Sequence, residues 1–271
     1  MSITAGTRGT STALRAARTR LAPALRHGGG LGMAGVGGIL GAGVMFVELQ
    51  HARRAIPERT DAPVTGGDFG REDRRPLRLT MVGDSSAAGV GCDTDEQTPG
   101  LLLTRALVDR GYRVHLEVVA VSGSRSADLA AQVSRTLLSP PDIAVICIGA
   151  NDVTHFVPAD IAAPMLGDAV SRLRDAGVGV LVATCPDLGT VRPVPQPLRT
   201  VGHHLSRRMA RLQTREVLLC GGLPVDIGRA LGPSFRQGGE LFCEDRFHPS
   251  PRGYQALVAA LLEPLDTLLP R

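Results

Sequence analysis

Five short runs rich in branched apolar residues, at 77–83, 113–121, 142–149, 178–184 and 223–227, alternate along the chain with segments of helical period near 98–110, 125–138, 160–176, 197–217 and 251–268. This alternation restricts the fold more than any other feature. The run "DIAVICIG" at 142–149 is apolar at successive positions, as expected of a strand buried on both faces. Strands that return through helices build right-handed βαβ units, so their strands run parallel and the sheet is covered by helices on both sides. With 43% hydrophobic and 21% charged residues among 271, the chain has enough apolar side chain for such a core. The expectation is an α/β domain over residues 77–271, built on a five-stranded parallel sheet.

The preceding part of the chain follows other rules. Residues 1–54 form a basic leader, and the arginines up to Arg59 are opposed only by Glu48 and Glu58. The net charge of +4 therefore belongs to the leader, and the remainder is close to neutral. A nucleic-acid partner is not expected, because no basic motif is interleaved with aromatics, which make up 3% of the chain with no Trp. Residues 28–47, "GGGLGMAGVGGILGAGVMFV", carry no charge and as a helix at about 1.5 Å per residue could cross a bilayer. Nine of these twenty positions are glycine, which lowers hydrophobicity and helix propensity but suits close packing between membrane helices. A membrane anchor and a flexible soluble leader both stay open; the anchor would put the domain outside the cytoplasm. No clear cleavage site follows. Residues 55–76, rich in Pro, Gly and charge, read as a linker.

In a doubly wound sheet ligands bind beyond the carboxyl ends of the strands. There the sequence places Gly83-Asp84-Ser85, Ser122-Gly123-Ser124 and Gly149-Ala150-Asn151-Asp152, with Asp245-Arg246-Phe247-His248-Pro249 just before the last helix. A serine, an amide beside a glycine, an asparagine, a histidine and a carboxylate are what acyl transfer requires. The hydroxyl is a weak nucleophile until a base takes its proton, and the tetrahedral intermediate needs donors aimed at its oxyanion.

These four blocks, "GDSSAAGVG", "AVSGSRS", "GAND" and "DRFHP", resemble those of the SGNH (GDSL) hydrolases, in that family's order, and the resemblance spans about residues 77–268. It implies a three-layer flavodoxin-like fold and a serine esterase or lipase-like activity without metal or organic cofactor. It also implies that Ser85, rather than Ser86, is the nucleophile, that His248 is the general base and then acid, and that Asp245 orients the imidazole. The oxyanion hole would combine the backbone N–H groups of Ser85 and Gly123 with the side-chain amide of Asn151. The glycine would permit close approach. The substrate would be a small ester, a lipid or an acylated glycan. Acyl transfer or carbohydrate deacetylation on the same residues, and a noncatalytic binding role, are the competing classes.

Other residues invite other chemistry. Asp84 and Asp152 could pair as in glycoside hydrolysis, but they read more simply as acceptors that order their loops. A phosphate cradle lacks support, since 83–91 has neither nucleotide fingerprint and the chain has no lysine. His203 and His204, adjacent on an expected helix, make a poor metal pair, while His155 either lines the pocket or is exposed. Five cysteines without CxxC spacing suggest neither a zinc site nor a complete disulfide set. The Pro-rich stretch 185–200 either shapes the pocket, with Arg192 and Arg199 near an anionic group, or is an ordinary connection.

Overall fold

The computed structural model describes residues 61–270, so the leader over 1–54 and its segment 28–47 lie outside the described residues. Among the described residues no helix is long and apolar enough to cross a membrane. Six strands, β1 (Gly67–Phe69), β2 (Arg75–Gly83), β3 (Tyr112–Val118), β4 (Ile143–Cys147), β5 (Gly179–Ala183) and β6 (Leu223–Val225), form one sheet in the order β1-β3-β2-β4-β5-β6. The five predicted strands are parallel, and their order is the flavodoxin-like one. The order changes direction between β2 and β4, and in such sheets ligands bind beyond the carboxyl ends of the strands at that point.

The side-chain period of two sorts the apolar runs into two layers. Leu79, Met81, Ile143, Val145 and Leu181 face one side, packed on α2 (Pro99–Asp109) and α8 (Pro251–Asp266). Val82, Ala144, Ile146, Val180 and Val182 face the other, packed on α3 (Leu129–Thr136), α5 (Ala159–Asp175) and Val217 of α6 (Leu198–Leu219). Each fully buried aliphatic side chain stabilises the fold by about 1.5–3 kcal/mol relative to exposure. Thr98-Pro99 and Ser250-Pro251 start α2 and α8: the hydroxyl oxygens accept from the N–H groups of Leu101 and Gly253, and proline takes a position whose N–H is spare.

Two expectations need correction. The stretch 55–76 is not wholly a linker, because β1 pairs antiparallel with β3 (Gly67 opposite Leu116) and Phe69 packs on the core. A three-residue edge strand has too few positions to show a period, and its pairing comes from the free edge of β3. The sheet is accordingly six-stranded, with one antiparallel edge. The second concerns α7 (Ile227–Gln237), which the periodicity missed because Gly228, Gly232 and Pro233 interrupt it. Those glycines let α7 approach the loop after β5: a Cβ on Gly228 would lie 3.1 Å from the Cys185 carbonyl oxygen.

Candidate active site

At the end of β2 the chain turns too tightly for any side chain. Gly83 has φ +131°, and a Cβ there would lie 1.9 Å from the Cys147 carbonyl oxygen of β4. The Asp84 N–H donates to that carbonyl at 3.0 Å, and its carboxylate accepts from the Ser86 N–H at 2.9 Å, which caps the single turn α1 (Ser85–Ala88). Ser85 therefore stands at a rigid corner, only 6% exposed. Burial pushes the Asp84 carboxyl up to about 6, against the opposing hydrogen bonds from Ser86.

The segment before α8 supplies the partners. An antiparallel bridge between Phe242 and Pro249 and a Cys243 N–H to His248 carbonyl bond of 2.9 Å close this loop on itself. Within it, Asp245 Oδ1 accepts from the N–H groups of Phe247 (2.8 Å) and His248 (2.9 Å) and from the Cys243 thiol (3.1 Å). Oδ2 lies 2.7 Å from His248 Nδ1, and His248 Nε2 lies 3.1 Å from Ser85 Oγ. Burial by itself would raise the Asp245 carboxyl, but the bonds from His248, Cys243 and the two amides outweigh it and hold the group well below the usual carboxylate range. An ionised acceptor on Nδ1 requires a proton there, which leaves Nε2 as the acceptor toward the serine hydroxyl.

Gly123 and Asn151 belong to neighbouring turns that a hydrogen bond joins. Asn151 Nδ2, at the start of α4 (Ala150–Thr154), donates to the Ser124 carbonyl at 3.0 Å, which leaves its second N–H uncommitted by that bond. Gly123 has φ +83°, and this left-handed backbone is what the structure requires of it, since a Cβ there would meet open space. The anticipated role of Asp152 as a loop acceptor matches its contacts. Buried, it takes the Ser126 N–H at 3.1 Å and the Ser126 hydroxyl at 3.0 Å. Burial raises its carboxyl, opposed by those Ser126 bonds.

Beside Ser85 and His248 opens a mainly apolar pocket between the ends of β4 and β5, α7 and the loop before α8. Ile227, Leu231 and Phe235, spaced four apart on α7, form one wall, with Phe242, Phe247 and Leu257 among the other lining residues. The stretch 185–200 contributes Pro186, Asp187, Leu188, Thr190 and Val191, so its pocket-shaping reading is the one the geometry favours. Its arginines are another matter, since Arg192 and Arg199 are not among the lining residues and Arg192 donates to the Arg236 carbonyl at 2.8 Å. His203 turns to Asp187, with Nδ1 2.8 Å from Oδ1, and His155 is exposed.

Sequence reasoning missed the α7 wall, the Cys243 thiol donor and two buried glutamines. Gln132 bridges Gly83 and Ser124, and Gln213 accepts from the Cys185 N–H (2.7 Å) while donating to the Ile148 carbonyl (3.1 Å). The available signal was a glutamine on the core face of an amphipathic helix, where an unpaired amide would cost about 1–3 kcal/mol.

Comparison with known proteins bears on this constellation. Residues 81–256 match the model of the GDSL-like lipase/acylhydrolase family. A GDSL-like esterase of Mycobacterium tuberculosis is 40% identical over 254 residues, covering 88% of this chain and 81% of that protein. An arylesterase of Vibrio mimicus is 28% identical over 106 residues, 39% of this chain and 52% of that one. Among solved structures, TesA superposes with TM-score 0.60 at 22% identity, over 71% of this chain and 99% of its own. An acetyl-xylooligosaccharide esterase from Geobacillus gives TM-score 0.55 at 20% identity, over 71% and 95%. The family match covers more than half of the chain and contains the serine corner, and the chain belongs to the GDSL-like lipase/acylhydrolase family as a carboxylic ester hydrolase.

Proposed function

We propose that this protein hydrolyses esters through an acyl-enzyme on Ser85. The observation that carries the reading is the continuous hydrogen-bonded chain from Ser85 Oγ through His248 to Asp245, at 3.1 and 2.7 Å. His248 Nε2 takes the hydroxyl proton as Ser85 Oγ attacks the ester carbonyl. The carbonyl oxygen gains negative charge and is met by the N–H groups of Ser85 and Gly123 and by the Asn151 amide. Collapse of the tetrahedral intermediate expels the alkoxide, which His248 protonates, and water repeats the sequence to release the acid. Asp245 keeps the imidazole in the required tautomer and stabilises its cation, a role that its depressed pKa supports.

The apolar wall of α7 supports an ester with an apolar substituent, because burying hydrocarbon there contributes about 0.8 kcal/mol per methylene. A p-nitrophenyl ester panel from acetate upward tests the reading, assayed on the intact protein, Ser85→Ala and His248→Ala. The expected result is turnover by the first and loss of at least about a thousandfold in both variants; comparable rates in all three would exclude it. The tether belongs to the same reading: residues 28–47 would anchor the enzyme outside the cytoplasm, as carbonate-resistant membrane association abolished by deleting 1–50 would demonstrate.

A further inference from the structure

Three turns carry the atoms to which an oxyanion role is given above: Gly83–Ser85 after β2, Gly123–Ser124 after β3, and Asn151 after β4. One buried side chain reaches two of them. Gln132, on α3 and 6% exposed, accepts from the Gly83 N–H through Oε1 at 2.7 Å. Its Nε2 donates to the Gly83 carbonyl at 2.9 Å and to the Ser124 hydroxyl at 3.0 Å. Ser124 continues the path, since its carbonyl accepts from Asn151 Nδ2 at 3.0 Å. The Gly83 carbonyl also receives the Val121 N–H at 3.1 Å, so the turn after β3 is tied to the serine corner twice.

From this network we infer that Gln132 is a positioning residue that sets the spacing of the three oxyanion donors. The inference rests on the acyl-enzyme reading above. Gln132 touches no reacting atom. Its amide plane has both bonds to Gly83 and a third to Ser124, so the two turns cannot slide relative to each other without breaking a buried hydrogen bond. Donors act on the oxyanion only when they stand within hydrogen-bond distance of the position that oxygen takes in the transition state, so a small displacement costs rate more than ground-state binding.

The test compares the intact protein with Gln132→Met, which nearly keeps the volume and loses all three bonds, and with Ser124→Ala, which loses only the bond from Gln132 to the turn after β3. Gln132→Met is expected to lower kcat roughly ten- to a hundredfold with KM changed less than about threefold, and Ser124→Ala to lower kcat roughly three- to tenfold. Inactivation by a p-nitrophenyl alkylphosphonate, whose adduct on serine is tetrahedral, falls in parallel. Because the two residues act through one link, the double variant loses less than the product of the single losses. Wild-type kcat in Gln132→Met, a loss confined to KM, or full additivity overturns the inference. Should Gln132→Met fail to fold, Ser124→Ala decides alone, and wild-type kcat there is the overturning result. Ser85→Ala in the same assay separates the two readings. If it stays active, the acyl-enzyme reading fails and this one with it; if it is inert, any failure belongs to Gln132 alone.

Discussion

The turn at 243–248 and the turn at 83–85 each bury a carboxylate in electrostatic reach of His248, with opposite results. Asp245 has four donors, the Cys243 thiol, two amides and the imidazole, and stays ionised far below the normal range. Asp84 accepts from the Ser86 amide and is buried beside apolar strands, and is pushed up to about 6. The difference teaches that burial alone does not decide the charge of a carboxylate. The donors directed at it can outweigh burial, and the 243–248 loop closes on itself so as to aim three of its own N–H or S–H groups inward.

The most severe break in this comparison is the isosteric pair Asp245→Asn and Asp84→Asn. The first removes the anion that fixes the His248 tautomer and is expected to lower kcat by about 10³–10⁴. The second keeps a capping oxygen and is expected to change kcat by less than about tenfold. Steady-state kinetics on one ester decide, and similar losses in both would mean that the two carboxylates share one role. Next in size is Asn151→Ala, which tests whether the far turn contributes a donor at all. Loss of one oxyanion donor should lower kcat by about 10²–10³. An unchanged kcat would remove Asn151 from the chemistry.

A smaller effect is expected at the apolar wall on α7. Phe235→Ala lengthens the pocket on the α7 side, so the ratio of kcat/KM for octanoate over acetate should rise by about tenfold. A uniform change across the panel would instead place the hydrocarbon elsewhere. The mildest effect concerns stability. Asp84 holds its proton to about pH 6 in the folded chain, against about 4 for a free carboxyl. Its contribution to folding is therefore complete below about 4 and is lost as pH rises through about 6. Between pH 5 and 8 the native protein should lose about 1 kcal/mol on this account, and Asp84→Asn should not. Urea unfolding at the two pH values measures it, with equal losses as the contrary outcome. Asp245 has the reverse sign, since its stabilisation is present above the normal carboxyl range and is lost as acid titrates the depressed group.

Much of this site is legible in the sequence. Ser85, Gly123 and Asn151 each follow one of the apolar runs, Asp245 and His248 share the block before the last helix, and the fold brings Ser85 Oγ and His248 Nε2, 163 positions apart, to within 3.1 Å. The reasons for the glycines were less legible. Gly83 is required by the Cys147 carbonyl of a neighbouring strand and Gly123 by its own φ, and local sequence alone does not distinguish these. Illegible too was α7, where Gly228, Gly232 and Pro233 look like breakers until the loop after β5 is seen against them.

Alternation of strand and helix, two-faced burial of the strands and the inventory of serine, histidine, aspartate and asparagine are properties of short stretches, because side-chain period and functional-group chemistry are local. They determined the layered fold and its reactive edge. The spacing of the donors, the pocket wall on α7, the edge strand β1, the opposite charge tendencies of Asp84 and Asp245 and the Gln132 bridge depend on groups far apart in the chain. Only the assembled sheet with its packed helices decides them, because a hydrogen bond or a desolvated carboxyl is specified by what surrounds it in space.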